Sequence, residues 1–300
     1  MSRGYLVIAQ NSTIDYTRLA YLLALSIKYT QCSVNNISIA ITKDTKLDDK
    51  YRKIFDHVIE IPFEDDAELS DWKIENKWKY FHFTPYDETV ILDTDMLFTS
   101  DVSHWWDVMS KQDVVATTKV LTYRHELITS DYMRKTFTQN NLPNVYTAFM
   151  YFKKQSDLTN DYFAMVEKIF RNWDYFREEF LDNQNRQEWI SADVIYAMAA
   201  KLLDITNEIQ APTLNYPTFV HMKPELQGWH SVITDNWTNH VGFYVTKDSV
   251  KIGNYTQHYP IHYFSKNLAT DELIKKYEDN IGHGYCLLYT SPSPRDYGTS

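Results

Sequence analysis

The sequence is poor in the features that define several classes of protein. Two cysteines are too few for a disulfide framework, and seven glycines and nine prolines among 300 residues are too few for a low-complexity chain. No apolar run approaches the roughly 18 residues that a transmembrane helix needs, so no membrane span is predicted. What remains is a globular fold, for which the hydrophobic fraction of 44% is ample.

Positive charge is also scarce. The 30 Lys and Arg residues against 40 Asp and Glu residues give a formal net charge of −10. We expect no nucleic-acid partner, because phosphate backbones are bound by basic patches. The strand-like segment 5–9 is too short for the apolar core of a secretory signal, so a cytoplasmic location is expected. Nothing in the sequence indicates the oligomeric state.

The end of the chain differs in character from the rest. The segment from Cys286 to Asp296 resembles the translation of a sequencing adapter, a string that recurs at the ends of unrelated predicted sequences. We therefore treat 285–300 as a non-native tail. No internal repeat and no linker rich in Pro, Gly or Ser divides the remainder, so one domain is expected over residues 1–284.

Strand-like and helix-like segments alternate through the first hundred residues. Short apolar runs predict strands at 4–9, 37–42, 58–61 and 89–92, with helical or charged segments between them. This order predicts an α/β fold with a mostly parallel central sheet and helices on both faces. In such sheets ligands bind outside the carboxyl ends of the strands. The second half is more mixed, and one long aromatic helix is expected over 161–180.

Two carboxylates stand one residue apart at the end of the 89–92 strand. Alternation points Asp93 and Asp95 to the same side of the chain. There they repel each other unless a divalent cation or backbone donors offset their charges. Capping of the following helix is a simpler interpretation, but a cap does not need two carboxylates on one apolar strand. The pair therefore predicts a cation site.

Two histidines near late strands are candidates for a third ligand. His262 lies in the predicted strand 260–264, and His221 directly follows Phe219-Val220. Mixed carboxylate and imidazole ligands suit Mn²⁺, with Mg²⁺ as a substitute. Either histidine could equally be a hydrogen-bonded core residue, so both remain candidates. A cation placed here would stabilise a departing diphosphate, as sugar transfer from a nucleoside diphosphate sugar requires.

The run from Val90 to Phe98 resembles the hydrophobic strand and Asp-x-Asp motif of GT-A glycosyltransferases. The likeness is greatest to the glycogenin and bacterial lipopolysaccharide galactosyltransferase group. His262-Tyr263 followed by Lys266 is similar to that group's metal-binding histidine and phosphate-binding lysine, and the segment that begins at Lys77 is similar to its lead-in helix. The resemblance extends in order over residues 4–270, although each motif is short.

The resemblance implies a metal-dependent glycosyltransferase of the hexosyltransferase class. It would move a sugar from a nucleoside diphosphate sugar, with a UDP-sugar expected, to a glycan or protein acceptor, with retention. Residues 1–100 would form the nucleotide-binding half and 101–284 the acceptor-side half. Asp193 would be catalytic, facing the acceptor and the transferred sugar. The expected contacts to the donor are Gln10, Asn11, Tyr16, Lys77, Asp93, Thr94, Asp95 and Lys266.

Some residues depart from the group's pattern and keep alternatives open. The strand Tyr146–Phe149 lacks the group's glycine, and Val194 replaces the glutamine after Asp193. Asp193 could equally sit in the first turn of a helix for electrostatic reasons. An inactive carbohydrate-binding or scaffold protein on a transferase fold is the alternative function. An Asp-x-Asp phosphatase is less expected, because it would have Thr or Val where Leu97 stands.

Overall fold

The computed structural model describes residues 1–70, 72–129, 134–182, 184, 187–210, 216–223, 237–247 and 249–281. The tail at 285–300 lies outside them. The strands of the described residues are β1 (Arg3–Ile8), β2 (Ile37–Ile41), β3 (His57–Glu60), β4 (Glu88–Leu92), β5 (Met96–Leu97), β6 (Val114–Thr117), β7 (Tyr146–Lys153), β8 (Val220–His221), β9 (Phe243–Val245), β10 (Val250–Ile252), β11 (Tyr255–Thr256) and β12 (Ile261–His262). The helices are α1 (Tyr16–Thr30), α2 (Asp49–Arg52), α3 (Tyr80–Phe83), α4 (Trp105–Met109), α5 (Lys135–Gln139), α6 (Asp157–Arg171), α7 (Trp173–Phe180), α8 (Ala192–Leu202) and α9 (Asp271–Ile281), with 3-10 helices at Glu75–Lys79, Trp237–Asn239 and Lys266–Leu268.

A six-stranded, mostly parallel sheet lies at the centre of the fold. Its strand order is β3-β2-β1-β4-β7-β6. The strand β1 pairs in parallel with β2 and β4, and β2 pairs in parallel with β3, whereas β7 is antiparallel to its neighbours β4 and β6. The predicted α/β fold is confirmed. Because β1 and β4 are parallel neighbours, the polar residues after their carboxyl ends lie at the same edge of the sheet.

Helices cover both faces of the sheet, as predicted. Along β1, Tyr5 and Val7 contribute to one hydrophobic core, together with α1 and α9, whereas Leu6 contributes to a second core with α6 and α8. This division follows from the period of two in a strand, because each face must bury its own apolar side chains. None of the described helices is both long enough and apolar enough to cross a membrane.

A small three-stranded sheet joins the late part of the chain to the Asp-x-Asp segment. The strand β12 lies between β5, to which it is antiparallel, and β8, to which it is parallel. In this register His262 lies opposite both Met96 and His221. The residue that follows Asp95 is therefore paired directly with a candidate ligand. A further sheet has the antiparallel order β11-β10-β9.

One helical segment differs from expectation. The prediction of one continuous helix over 161–180 is wrong. The chain leaves the helical conformation at Asn172, with φ −129° and ψ 36°. The side-chain amide of Asn172 donates to the Lys168 carbonyl at 2.8 Å, in place of the backbone N–H that a continuing helix would supply. The result is two helices, α6 and α7.

Candidate active site

A cavity of about 470 Å³ opens at the carboxyl ends of β1 and β4. Its volume is within the range of roughly 300–1,000 Å³ that is typical of small-molecule sites. Asn11 does not line it. That side chain is exposed and accepts the backbone N–H of Thr17 at 3.0 Å, so its contact with a nucleotide stays a prediction. The predicted site residues that do line the cavity are Gln10, Tyr16, Lys77, Asp93, Thr94, Asp95, Asp193, His221, His262 and Lys266.

Two carboxylates and one imidazole converge within this cavity. One ligand atom from each of Asp93, Asp95 and His262 lies within 4.8 Å of the other two. The His262 Nε2 atom is 3.1 Å from Asp95 Oδ2 and 4.0 Å from Asp93 Oδ2. Pairing of β12 with β5 explains this placement, and the backbone N–H of Tyr263 donates to the Asp95 carbonyl at 3.0 Å. This set of oxygen and nitrogen donors fits a divalent cation.

Each of the two carboxylates is also paired with a lysine. The Lys77 Nζ atom is 2.5 Å from Asp93 Oδ1, and the Lys266 Nζ atom is 2.5 Å from Asp95 Oδ2. Burial alone would raise the pKa of Asp95, but His262 and Lys266 outweigh it and hold that pKa well below its ordinary value. Burial would likewise lower the pKa of Lys77, but the charge of Asp93 raises it. Asp95 is therefore ionised and Lys77 protonated at neutral pH.

His221 stacks against His262 instead of joining the three converging side chains. The two ring centroids are 4.9 Å apart and the ring planes differ by 10°. Burial, followed by the charge of His262, lowers the pKa of His221 well below its ordinary value, so its ring is neutral. The Nδ1 atoms of both histidines are buried and have no hydrogen-bond partner in the described part of the chain. The distances favour His262 as the third ligand.

Asp193 lies in the first turn of α8 and is fixed on both of its oxygens. Its Oδ1 atom accepts the backbone N–H and the hydroxyl of Thr147 at 2.9 and 2.7 Å, and its Oδ2 atom accepts Arg134 Nη1 at 3.0 Å. Burial would raise the pKa of Asp193, but Arg134 and the Thr147 hydrogen bonds lower it. Ser191 is the N-cap residue, although its side chain makes no capping hydrogen bond. Asp193 is therefore an ionised carboxylate whose position on the cavity wall is fixed by hydrogen bonds.

Arg134 holds Asp193 in place and was missed by the sequence analysis. Its guanidinium carbon lies 3.6 Å from the ring centroid of Tyr146 and 4.1 Å from that of Phe137. Its Nη2 atom donates to the Val145 carbonyl at 2.5 Å. No local pattern connects Arg134 with a carboxylate 59 residues further along the chain. Only the tertiary fold brings the two side chains together.

The side chain of Gln10 lines the cavity but is committed to protein partners. Its amide nitrogen is 3.1 Å from both carboxylate oxygens of Asp65, and its oxygen accepts Asn76 Nδ2 at 2.8 Å. Asn76 also donates to Asp65 at 2.5 Å. These bonds tie the end of β1 to the acidic loop after β3. Gln10 shapes the cavity in this way, and its contact with a nucleotide remains a prediction.

Tyr16 is the remaining predicted nucleotide contact at the start of α1. Burial, followed by the charges of Asp95 and Asp93, raises the pKa of Tyr16 to about 12. Its phenol therefore stays protonated and can donate a hydrogen bond. The Lys266 ammonium lies 5.9 Å from the Tyr16 ring centroid, which joins this residue to the charged cluster.

The fold and the site together define an α/β protein with a candidate divalent-cation site at the carboxyl edge of a mostly parallel sheet. No protein-family model matches the sequence, and no curated protein matches it. Solved structures that are similar to the chain include glycosyltransferases. At their level of identity the likeness concerns the fold alone.

Three of these structures illustrate the likeness. The galactosyltransferase LgtC, in complex with donor and acceptor sugar analogues, is 9% identical over 65% of this chain and 70% of its own, with a TM-score of 0.44. Mouse xyloside xylosyltransferase 1 in its apo form is 9% identical over 70% of this chain and 84% of its own, with a TM-score of 0.44. The glycosyltransferase GlyE of Streptococcus pneumoniae TIGR4 is 10% identical over 65% of this chain and 43% of its own, with a TM-score of 0.37.

Proposed function

We propose that this protein is a metal-dependent glycosyltransferase that moves a sugar from a nucleoside diphosphate sugar to a glycan or protein acceptor. The observation that carries the proposal is the convergence of Asp93, Asp95 and His262 in a cavity at the carboxyl edge of the sheet. A divalent cation held by these side chains, Mn²⁺ or Mg²⁺, would neutralise the negative charge of a departing diphosphate. UDP is the nucleotide that the sequence resemblance implies.

The charge of the cavity supports an anionic donor. Among the described residues, four lysines and three aspartates line it, so these side chains carry net positive charge in a protein whose formal net charge is −10. A cation that takes Asp93 and Asp95 as ligands would also release Lys77 and Lys266 from those carboxylates. Both ammonium groups would then be available to phosphate oxygens. The two ion pairs thus keep the lysines next to the place where a diphosphate would bind.

Asp193 is proposed to act as a fixed negative charge. Its lowered pKa keeps it ionised at neutral pH, and all of its hydrogen bonds in the described structure are to protein donors. Such a carboxylate suits stabilisation of the positive charge that develops on the sugar in an oxocarbenium-like transition state. Among the described residues that line the cavity, no carboxylate besides Asp93, Asp95 and Asp193 is present to act as the general base of an inverting enzyme. We therefore propose retention.

A donor screen tests the proposed function. Thermal unfolding is measured with UDP-, GDP- and CDP-sugars, each with Mn²⁺ and with EDTA, and released nucleotides and glycosylated products are identified by mass spectrometry. We expect one class of donor to raise the Tm only when Mn²⁺ is present, because a ligand that binds the folded state stabilises it. Slow release of the nucleoside diphosphate should accompany the shift. The absence of both effects with every donor would contradict the proposal, and a shift without turnover would favour the carbohydrate-binding alternative.

A further inference from the structure

Lys223 is a lysine of the cavity that has no carboxylate partner in the described part of the chain. It lies two residues beyond β8 and lines the same cavity as the Asp-x-Asp pair. Lys77 and Lys266, in contrast, are each 2.5 Å from a carboxylate oxygen. The Lys223 ammonium lies over the ring of Phe264, whose centroid is 5.6 Å away. No carboxylate of the described residues therefore neutralises its positive charge.

Lys223 and Lys266 both approach the ring of Phe264, and all three residues line the cavity. Both Nζ atoms lie 5.6 Å from the ring centroid, within the range of a cation–π interaction. Phe264 has a φ of 60°, a left-handed conformation that is strained for a bulky residue. Such strain persists where the surrounding structure requires it, and it is often found at functional sites. Two ammonium groups on the wall of one cavity favour the binding of an anion in that cavity.

We propose that Lys223 is a second ligand of the donor's diphosphate and binds its phosphate oxygens together with Lys266. This inference rests on the proposed function and adds a residue that the Asp-x-Asp motif does not indicate. Lys266 is committed to Asp95 until a cation takes that carboxylate, whereas Lys223 offers its charge to the anion from the start. An ammonium on a flexible stem binds phosphate as a point charge. Lys223 therefore increases affinity for diphosphate and not for the nucleoside.

Calorimetric binding in the presence of Mn²⁺ tests this inference. The probes are UDP, inorganic pyrophosphate and uridine, and the proteins are the unmodified chain, Lys223→Met and Lys223→Arg. Lys223→Met should weaken binding of UDP and of pyrophosphate by about 10- to 100-fold, the loss expected for one charged hydrogen bond. Uridine binding should change by less than about twofold, and Lys223→Arg should restore most of the lost affinity. Lys251→Met, on the exposed side of β10, is the matched control.

The possible outcomes separate this inference from the proposed function. If the unmodified protein binds UDP and Lys223→Met binds it equally well, the inference is overturned and the transferase proposal stands. If pyrophosphate binding depends on Lys223 but no sugar nucleotide is turned over, the anion site stands and the transferase proposal is overturned. If the unmodified protein binds neither UDP nor pyrophosphate, both are overturned.

Discussion

The carboxylates of the cavity are held in two different ways. Asp93 and Asp95 are paired with ammonium groups at the ends of long lysine side chains. Asp193 accepts a backbone N–H and a hydroxyl from Thr147, and its other oxygen accepts from the guanidinium of Arg134, which is itself stacked on aromatic rings. The lysines can change partner by rotation of their side chains, whereas the partners of Asp193 are fixed by the backbone and by packing.

This difference indicates a division of roles. A pair of carboxylates that must accept a cation needs partners that can leave. Lysine side chains neutralise the two carboxylates while no cation is bound, and they can rotate away when a cation binds. A carboxylate that must keep one position and one charge needs partners that cannot leave. The comparison therefore predicts that Asp95 and Asp193 respond to substitution in separable ways.

The largest effect is expected from Asp95→Asn. Loss of a charged ligand should lower metal-dependent turnover of the sugar nucleotide by about three orders of magnitude, because several kcal/mol of electrostatic stabilisation are removed. Asp107→Asn, whose side chain is 83% exposed in the unmodified protein, is the control and should be fully active. Turnover is followed as nucleoside diphosphate released with Mn²⁺ present. An Asp95→Asn protein with full activity would refute the role of this pair.

Asp193→Asn should separate chemistry from cation binding. We expect turnover to fall by on the order of 100-fold, since a charge aimed at the reacting sugar is lost. Affinity for Mn²⁺ should change by less than about twofold, because Asp193 is not among the converging ligands. Turnover and Mn²⁺ titrations on the same preparation measure both quantities. If turnover and Mn²⁺ affinity fell by the same factor, Asp193 would belong to the same site as Asp93 and Asp95.

Arg134→Ala tests the rigidity of the Asp193 arrangement. The Arg134 side chain is 11% exposed, and its removal leaves Asp193 without its cationic partner. The free energy of unfolding in urea should fall by about 2–3 kcal/mol, somewhat less than for a fully buried pair. Lys276→Ala removes an exposed pair with Glu272 and should cost at most about 0.5 kcal/mol. Equal effects of the two substitutions would contradict the difference in rigidity.

The smallest effect is expected in the pH dependence of stability. The folded pKa of Asp193 is below the unfolded value of about 3.9. Its ionised form therefore stabilises the fold at neutral pH, and this contribution is lost as the pH falls from about 4 towards the folded pKa. Asp193→Asn should lose less stability than the unmodified protein between about pH 5 and about pH 3. Parallel stability curves for the two proteins would rule out this contribution.

The central sheet and the Asp-x-Asp pair could be predicted from the sequence because their signals are local. The strands β1, β2 and β4 begin and end within about one residue of the predicted bounds, since each contains a short, mostly apolar segment. The two-residue strand β5 has no periodicity to detect, and the ion pair of Arg134 with Asp193 arises only in the tertiary fold.

The choice between His221 and His262 as the third ligand also could not be made from the local sequence. Both histidines end short apolar strands, so their local sequences are equivalent. The register of the small sheet distinguishes them, because β12 and not β8 lies next to β5. Strand order in such a sheet depends on long-range contacts that neither segment encodes by itself.

The most direct test of the cation site is a titration with Mn²⁺ followed by electron paramagnetic resonance. The unmodified protein is compared with His262→Phe and His221→Phe, which keep an aromatic ring at each position and remove its nitrogens. We predict that His262→Phe weakens Mn²⁺ binding by at least about tenfold, because it removes a ligand. His221→Phe should stay within about threefold of the unmodified protein, because His221 is a neutral ring stacked behind the ligand. Loss of binding in His221→Phe with normal binding in His262→Phe would contradict the proposed site.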